Sequence, residues 1–248
     1  MIIRGGRAIY GESVGILVLD TKFPRIPGDV GNATTFDFPV RYKVVRGANP
    51  EQIVGTADRA RALLPAFIEA ARELENDGVR AITTTCGFLT VVQDDIAEAV
   101  NIPVITSSLF LIPMMRRMLG PKRSIGVVTA DAQNLSVAHL RAAGIEPGWN
   151  MLIRGMESCP SFGTILGKTS DPDHALDVDK TRQEVVDVCR AMQAEVPGLG
   201  AFLFECTNLQ PYAAAVQSAT GLPIFGIYHV VNLLHSAAIA PDFGRGYL

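Results

Sequence analysis

The chain is predicted to be an α/β protein made of two pseudo-symmetric halves, each with a parallel sheet, and an active-site cleft between them. Three observations predict this. Short β-branched runs alternate with helical patterns along the whole length, the second half repeats the first, and a cysteine ends the same strand in both copies.

The elements follow in order. "SVGILVLD" (13–20) is a nearly continuous apolar run ending in an acid, the pattern of a parallel strand buried on both faces. "VRYKVVRG" (40–47) is a second strand. Asn49-Pro50-Glu51 starts a helix, with asparagine as cap and proline in the first turn; it is expected to reach Asn76, with Pro65 kinking or dividing it and Gly78 just beyond. "VRAITTT" (79–85) is a strand, 88–100 a helix, "PVIT" (103–106) a strand and 108–118 a helix. After "LGPK" the programme restarts, which places the boundary near 119–122 and gives halves of 1–120 and 121–248, with the carboxyl-terminal helix free to return onto the first half. "SIGVVTA" (124–130) is a strand, and 132–143 is a helix closed by Gly144. A strand lies near 151–154, a polar loop spans 156–179, and a helix lies near 180–195. "GAFLFE" (200–205) is a strand, 208–219 a helix, "PIFGI" (223–227) a strand and 229–239 a helix. Such alternation calls for parallel sheets with right-handed crossovers.

Composition narrows the function classes. The 248 residues are 48% hydrophobic and 19% charged, with a net charge of −3 and no basic tract, so nucleic acid is not an expected partner. The amino terminus lacks the apolar core of a secretory signal, and no run reaches the roughly 18 apolar residues of a membrane span. A cytoplasmic protein without membrane partners is expected. Four cysteines and four histidines are scattered without ligand spacing, so neither a disulfide scaffold nor a metal site is expected. The lysines lie in polar or turn contexts unsuited to a Schiff base, and "RGGRAIYG" follows no strand, which makes it a poor phosphate loop.

Internal repetition organises the rest. A shift of 120 lays Gly78, Ala81, Cys86, Leu89, Ala99 and Pro103 on Gly198, Ala201, Cys206, Leu209, Ala219 and Pro223. A shift of 111 pairs Ser13 with Ser124, Gly15 with Gly126 and Asp20 with Asp131. The second copy therefore carries a net insertion of nine residues, best placed in the polar loop 156–179. Open parallel sheets bind ligands beyond their strands' carboxyl ends, so Asp20, Cys86, Asp131 and Cys206 are expected to converge on one crevice.

Two facing thiols suit inversion of a carbon that carries an acidic hydrogen. One thiolate removes a proton from one face, one thiol returns a proton to the other, and the roles exchange each turnover. A free thiol has a pKa of about 8.5, lowered at helix N-termini, and each cysteine begins a predicted helix. The backbone there, with Thr85, Thr207 and Asn208, can hold a carboxylate and its developing enolate. A lone strand cysteine is more often a small buried hydrophobe; two at matched positions of a repeat point to chemistry. Cys189 has helical spacing from Val185 and Met192 and reads as core, while Cys159 has no repeat mate. Asp20 reads either as a cap or as a group that orients the substrate or tunes Cys86. Thr129 ends the second copy's strand with a hydroxyl, and His229 reads as a helix-terminal residue.

"GILVLDT", "TTTCGFL", "SIGVVTA" and "ECTNL" resemble, in order and spacing, the aspartate/glutamate racemase superfamily, in particular its hydantoin-racemase-like branch. The resemblance implies two flavodoxin-like halves, a cofactor-independent isomerase with a two-base mechanism, and homo-oligomers, commonly dimers. It puts the acid/base roles on Cys86 and Cys206, and contacts to a small amino acid, hydantoin or related carboxylate on Asp20, Thr85, Gly87, Phe88, Thr129, Thr207 and Asn208. Amino-acid racemases of the family commonly follow the first cysteine with Asn-Thr, where Gly87-Phe88 stand here, and the second Cys-Thr with His, where Asn208 stands. The clamp is thus not the usual one, and Phe88 implies an apolar contact. Racemisation or epimerisation alpha to a carboxylate or hydantoin carbonyl is the leading expectation. Maleate isomerase-like or arylmalonate decarboxylase-like chemistry in the same cleft, and a non-catalytic ligand-binding role, are the alternatives.

Overall fold

The computed structural model describes residues 2, 5–55, 57–167 and 171–241; parts of the amino-terminal segment and residues 168–170 of the polar loop lie outside them. The first half runs β1 (Val14–Leu19), β2 (Val40–Val45), α1 (Pro50–Ile53), α2 (Ala57–Ala62), α3 (Leu64–Asp77), β3 (Ala81–Thr84), α4 (Gln93–Glu98), β4 (Val104–Ile105) and α5 (Ile112–Leu119). The second runs β5 (Ser124–Thr129), α6 (Val137–Ala142), β6 (Met151–Gly155), α7 (Gly163–Gly167), α8 (Val178–Glu195), β7 (Leu199–Phe204), α9 (Ala213–Thr220), β8 (Ile224–Phe225) and α10 (Ile227–Ala238). Turns of 3₁₀ helix at Gly87–Val92, Ser108–Leu111 and Thr207–Tyr212 lead into α4, α5 and α9.

The strands form two four-stranded parallel sheets of the same order, β2-β1-β3-β4 and β6-β5-β7-β8. Register carries the repeat: Val14 pairs with Val40 and Ala81, and their counterparts Ile125, Met151 and Ala201 pair in the same way. The offset is thus 111 through β6 and 120 from β7 onward, so the inserted residues lie between those strands, in the region of the predicted polar loop. Every residue of β1 and of β7 is buried, as expected of central parallel strands covered on both faces.

Two glycines let helices come close to these strands. A Cβ on Gly15 would lie 2.9 Å from a methyl of Leu74 in α3, and one on Gly126 would lie 2.7 Å from the Phe202 ring and 3.2 Å from Met192 in α8. These are repeat mates, and each leaves room for the crossover helix of its own half.

Helices also cross between halves. α10 packs on β1 and β3, whereas α5 packs on β5 and β7. Val230, Val231 and Leu234 of α10 consequently share one core with Ile16, Ile82, Val127 and Leu203. No helix among the described residues is long and apolar enough to cross a membrane.

Several predicted boundaries move for identifiable reasons. The helix expected from Pro50 to Asn76 is three helices. Asn49 caps α1 as expected, its side chain accepting from Gln52 N–H, while α3 restarts with Pro65 in its first turn and ends at Gly78 in the left-handed conformation (φ 102°). The helix expected at 132–143 starts only at Val137. Asp131 Oδ1 accepts the N–H groups of Gln133 (3.0 Å) and Asn134 (3.1 Å), so a side chain takes donors that a helix would have used. Within the polar loop, α7 is an additional short helix.

Candidate active site at the meeting of the two sheets

Both cysteines leave the carboxyl ends of equivalent strands, β3 and β7, one residue past the last ladder bond. Thr85 N–H donates to Leu17 O (3.0 Å), and its repeat mate Glu205 N–H donates to Val128 O (2.8 Å). These bonds hold each strand end against its neighbour, and the following residue, Cys86 or Cys206, caps a 3₁₀ turn. The halves are joined at this level: Thr207 Oγ1 donates to Thr85 O (2.9 Å) and Ser108 Oγ donates to Phe204 O (2.8 Å).

A narrow cavity of about 30 Å³ opens between them, space for a water or two. Seven of the nine sequence-predicted site residues line it: Cys86, Cys206, Thr85, Gly87, Phe88, Thr207 and Asn208. Pro50 and Val54, at the two ends of α1, and Ile165 of α7 complete its apolar side. α1 and α7 each follow the edge strand of their own sheet, and they pack against each other.

Asp20 and Thr129 stand elsewhere. Asp20 Oδ2 accepts from Gly47 N–H at 3.1 Å and fastens the turn after β2, off the cavity wall. Thr129 is fully buried behind the wall, its hydroxyl donating to Glu205 Oε2 at 2.6 Å. Asp131 is occupied by its own turn, so the expected convergence holds for the thiols and not for the two strand-end aspartates. Cys189 is buried in the second core, and Cys159 packs against that core.

Three charged residues were not anticipated. Arg25 and Glu205 are the formally charged side chains of the wall, and Asp29 stands beside Arg25. Asp29 is 3% exposed; it accepts from Arg25 Nη1 (2.7 Å), Gly31 N–H (2.7 Å) and Asn208 Nδ2 (2.7 Å). Arg25 also donates to Thr21 Oγ1 at 3.0 Å and lies over the Phe23 ring at 4.7 Å. Both residues come from the β1–β2 connection, which docks on the second half where Gly28 (φ 99°) meets Pro211: a Cβ there would lie 2.8 Å from Pro211 Cα. The corresponding connection of the second half is built around α6 and carries Ser136 and Leu140 at the equivalent positions, so neither charge is repeated.

Unequal surroundings make the thiols inequivalent. Asn208 must turn its Nδ2 to the Asp29 carboxylate, which leaves Oδ1 facing the Cys206 thiol, a donor at 3.5 Å. Cys86 has no such side-chain acceptor among the described residues, and the backbone N–H groups of Phe88 and Leu89 lower its pKa. Burial pushes the Cys86 thiol up to about 12 and the Glu205 charge adds to this; those N–H groups and the Arg25 charge pull it down. Cys206 is also raised by burial, then by Glu205, against one N–H from Asn208. The thiolate expected from the helix starts is therefore outweighed, because desolvation by burial exceeds what a short 3₁₀ turn supplies.

Glu205 is 1% exposed, and burial pushes its carboxyl up to about 7 against the Thr129 hydroxyl and the Ala130 N–H. Folded protein thus holds this proton to near pH 7, whereas an unfolded glutamate releases it near pH 4.3. The stability it contributes is complete below the unfolded value and is lost as pH rises through the folded one. Relative to the parent, Glu205→Gln is expected to gain on the order of 3 kcal/mol between pH 4 and pH 8. Urea unfolding at the two pH values checks this; a constant gap would mean that the carboxyl does not hold its proton.

The chain belongs to the Asp/Glu/hydantoin racemase family, whose model matches residues 44–231. It is 30% identical over 224 residues to a dimethylsulfoniopropionate lyase of Durusdinium sp. clade D, covering 88% of this chain and 72% of that protein. It is also 30% identical over 241 residues to dimethylsulfoniopropionate lyase 6 of Emiliania huxleyi (strain CCMP1516), covering 94% of this chain but 61% of that longer protein. The crystal structure of allantoin racemase from Pseudomonas fluorescens shares the fold, with a TM-score of 0.60 at 13% identity over 95% of this chain and 99% of that one.

Proposed function

We propose that this protein is a lyase that removes a proton alpha to a carboxylate and expels a neutral thioether from the β-carbon, with dimethylsulfoniopropionate as the substrate. The observation that carries this reading is the inequivalence of the two thiols. Inversion needs two exchangeable acid/base groups, whereas elimination needs one base. The Cys206 thiol donates a hydrogen bond to Asn208 Oδ1, whereas the Cys86 thiol has no such acceptor among the described residues and lies nearer the Arg25 charge that lowers its pKa. Similarity to two dimethylsulfoniopropionate lyases supports the same choice.

In this reading Arg25 binds the substrate carboxylate and steadies the negative charge that spreads onto it as the Cα proton leaves. Cys86 ionises when the substrate's sulfonium group enters the cavity with the carboxylate neutralised at Arg25, because an adjacent cation favours the thiolate. The thiolate takes the Cα proton, and the C–H pair becomes the Cα–Cβ double bond. The Cβ–S bond breaks with its electrons on sulfur, giving acrylate and dimethyl sulfide. The proton passes from Cys86 to solvent. Phe23, Phe88 and Ile165 keep water from the carbanion, and the apolar side of the wall must spread to admit a molecule larger than the present free volume.

Purified protein incubated with dimethylsulfoniopropionate is expected to yield acrylate and dimethyl sulfide in equal amounts, followed by proton NMR and headspace gas chromatography. If neither appears while a hydantoin or amino acid loses optical activity, the chemistry is racemisation and the lyase reading falls.

A further inference from the structure

We propose that Glu205 selects for a positive charge at the substrate's β-position, forming an anionic subsite for a sulfonium or quaternary ammonium group opposite in sign to the Arg25 site. This deepens the lyase reading and rests on it for the substrate's carboxylate end.

Several features of Glu205 meet at this conclusion. It is buried, yet lines the cavity together with both thiols. Oε2 is satisfied by Thr129 Oγ1 at 2.6 Å, while Oε1 accepts no hydrogen bond among the described residues. Ionising a buried carboxyl whose second oxygen has no donor is costly unless a positive partner arrives. Sulfonium and quaternary ammonium groups have no N–H or O–H to donate, so they compensate charge without requiring a hydrogen bond. Phe23 and Phe88, on the same wall, are the kind of aromatic surface such cations prefer.

Position 87 is glycine where the carboxylate needs it. A Cβ there would sit 2.0 Å from Glu205 Oε1 and 2.7 Å from Glu205 O. The other copy has Thr85 at the position of Glu205, with its hydroxyl accepting from Leu19 N–H at 3.0 Å. Glu205 takes the Thr129 hydroxyl with Oε2 and has Oε1 left over. A threonine would satisfy the backbone in both copies; the extra charge is specific to the cavity side of the second half.

The test uses two unreactive carboxylates of one shape, trimethylammoniopropionate and its tert-butyl analogue with carbon in place of nitrogen. Titration calorimetry on the parent is expected to favour the cation by at least about 10-fold. In Glu205→Gln, and in Glu205→Thr should the glutamine variant not fold, the preference is expected to fall within about 3-fold. Absence of preference in the parent, or an unchanged preference in a folded variant, overturns the subsite. The two readings fail separately. Release of dimethyl sulfide without charge preference would remove the Glu205 subsite alone, whereas Glu205-dependent preference without release would remove the lyase reading alone.

Discussion

Cys86→Ser is expected to lower kcat for dimethyl sulfide release by about 10³-fold or more, the range lost when a positioned general base is removed. Serine keeps the size of the side chain, and the turn is held by Leu89 N–H donating to the backbone carbonyl of residue 86, so the 3₁₀ turn at Gly87–Val92 is expected to persist. What it lacks is an accessible anion. Cys206→Ser is expected to cost only about 10-fold, because a hydroxyl can donate to Asn208 Oδ1 as the thiol does. The ratio between the variants is the informative quantity, measured by initial rates with circular dichroism as the check on folding. Equal losses in both would indicate a symmetric pair of bases and contradict the elimination reading.

Arg25→Met is expected to act on binding and on stability together. In the proposed complex it removes the partner of the substrate carboxylate, so KM is expected to rise by about 100-fold with a smaller change in kcat. In the free protein it strands Asp29, which is 3% exposed and keeps only Gly31 N–H and Asn208 Nδ2 as donors. Breaking a buried pair from one side costs about 3 kcal/mol, read as a fall in the urea midpoint. Arg25→Lys keeps the charge but loses the planar fork, and an intermediate KM is expected. An unchanged KM in the methionine variant would show that the carboxylate binds elsewhere.

Much of this architecture was legible because parallel strands announce themselves. β1 and β7 are unbroken apolar runs, and repeating them at two offsets foretold two sheets of one topology, the location of the inserted residues and the pairing of Cys86 with Cys206. The same alignment places Glu205 as the mate of Thr85, a mismatch that carries the charge of the second copy. Helix boundaries were harder to read. Asp131 and Ser136 both look like caps, and only the three-dimensional hydrogen bonds show that the first closes a turn while α6 begins after the second. Arg25 and Asp29 could not be placed from sequence. They lie in a connection whose counterpart carries no charge at these positions and folds around α6, and their position depends on Gly28 meeting Pro211, far away in the chain. The thiol environments differ from the expectation for a related reason: a helix start is visible in the sequence, whereas the burial around it depends on α1 and α7 packing together.

Dimethylsulfoniopropionate carrying two deuterons at Cα tests the central claim most directly, with products followed by NMR and the protein by intact mass. Proton removal by Cys86 predicts acrylate with a single deuteron at Cα, slower release than from unlabelled substrate, and an unmodified protein. A thioether adduct on Cys86 or Cys206 that retains both deuterons would show the thiol displacing dimethyl sulfide at the β-carbon, and would contradict the account.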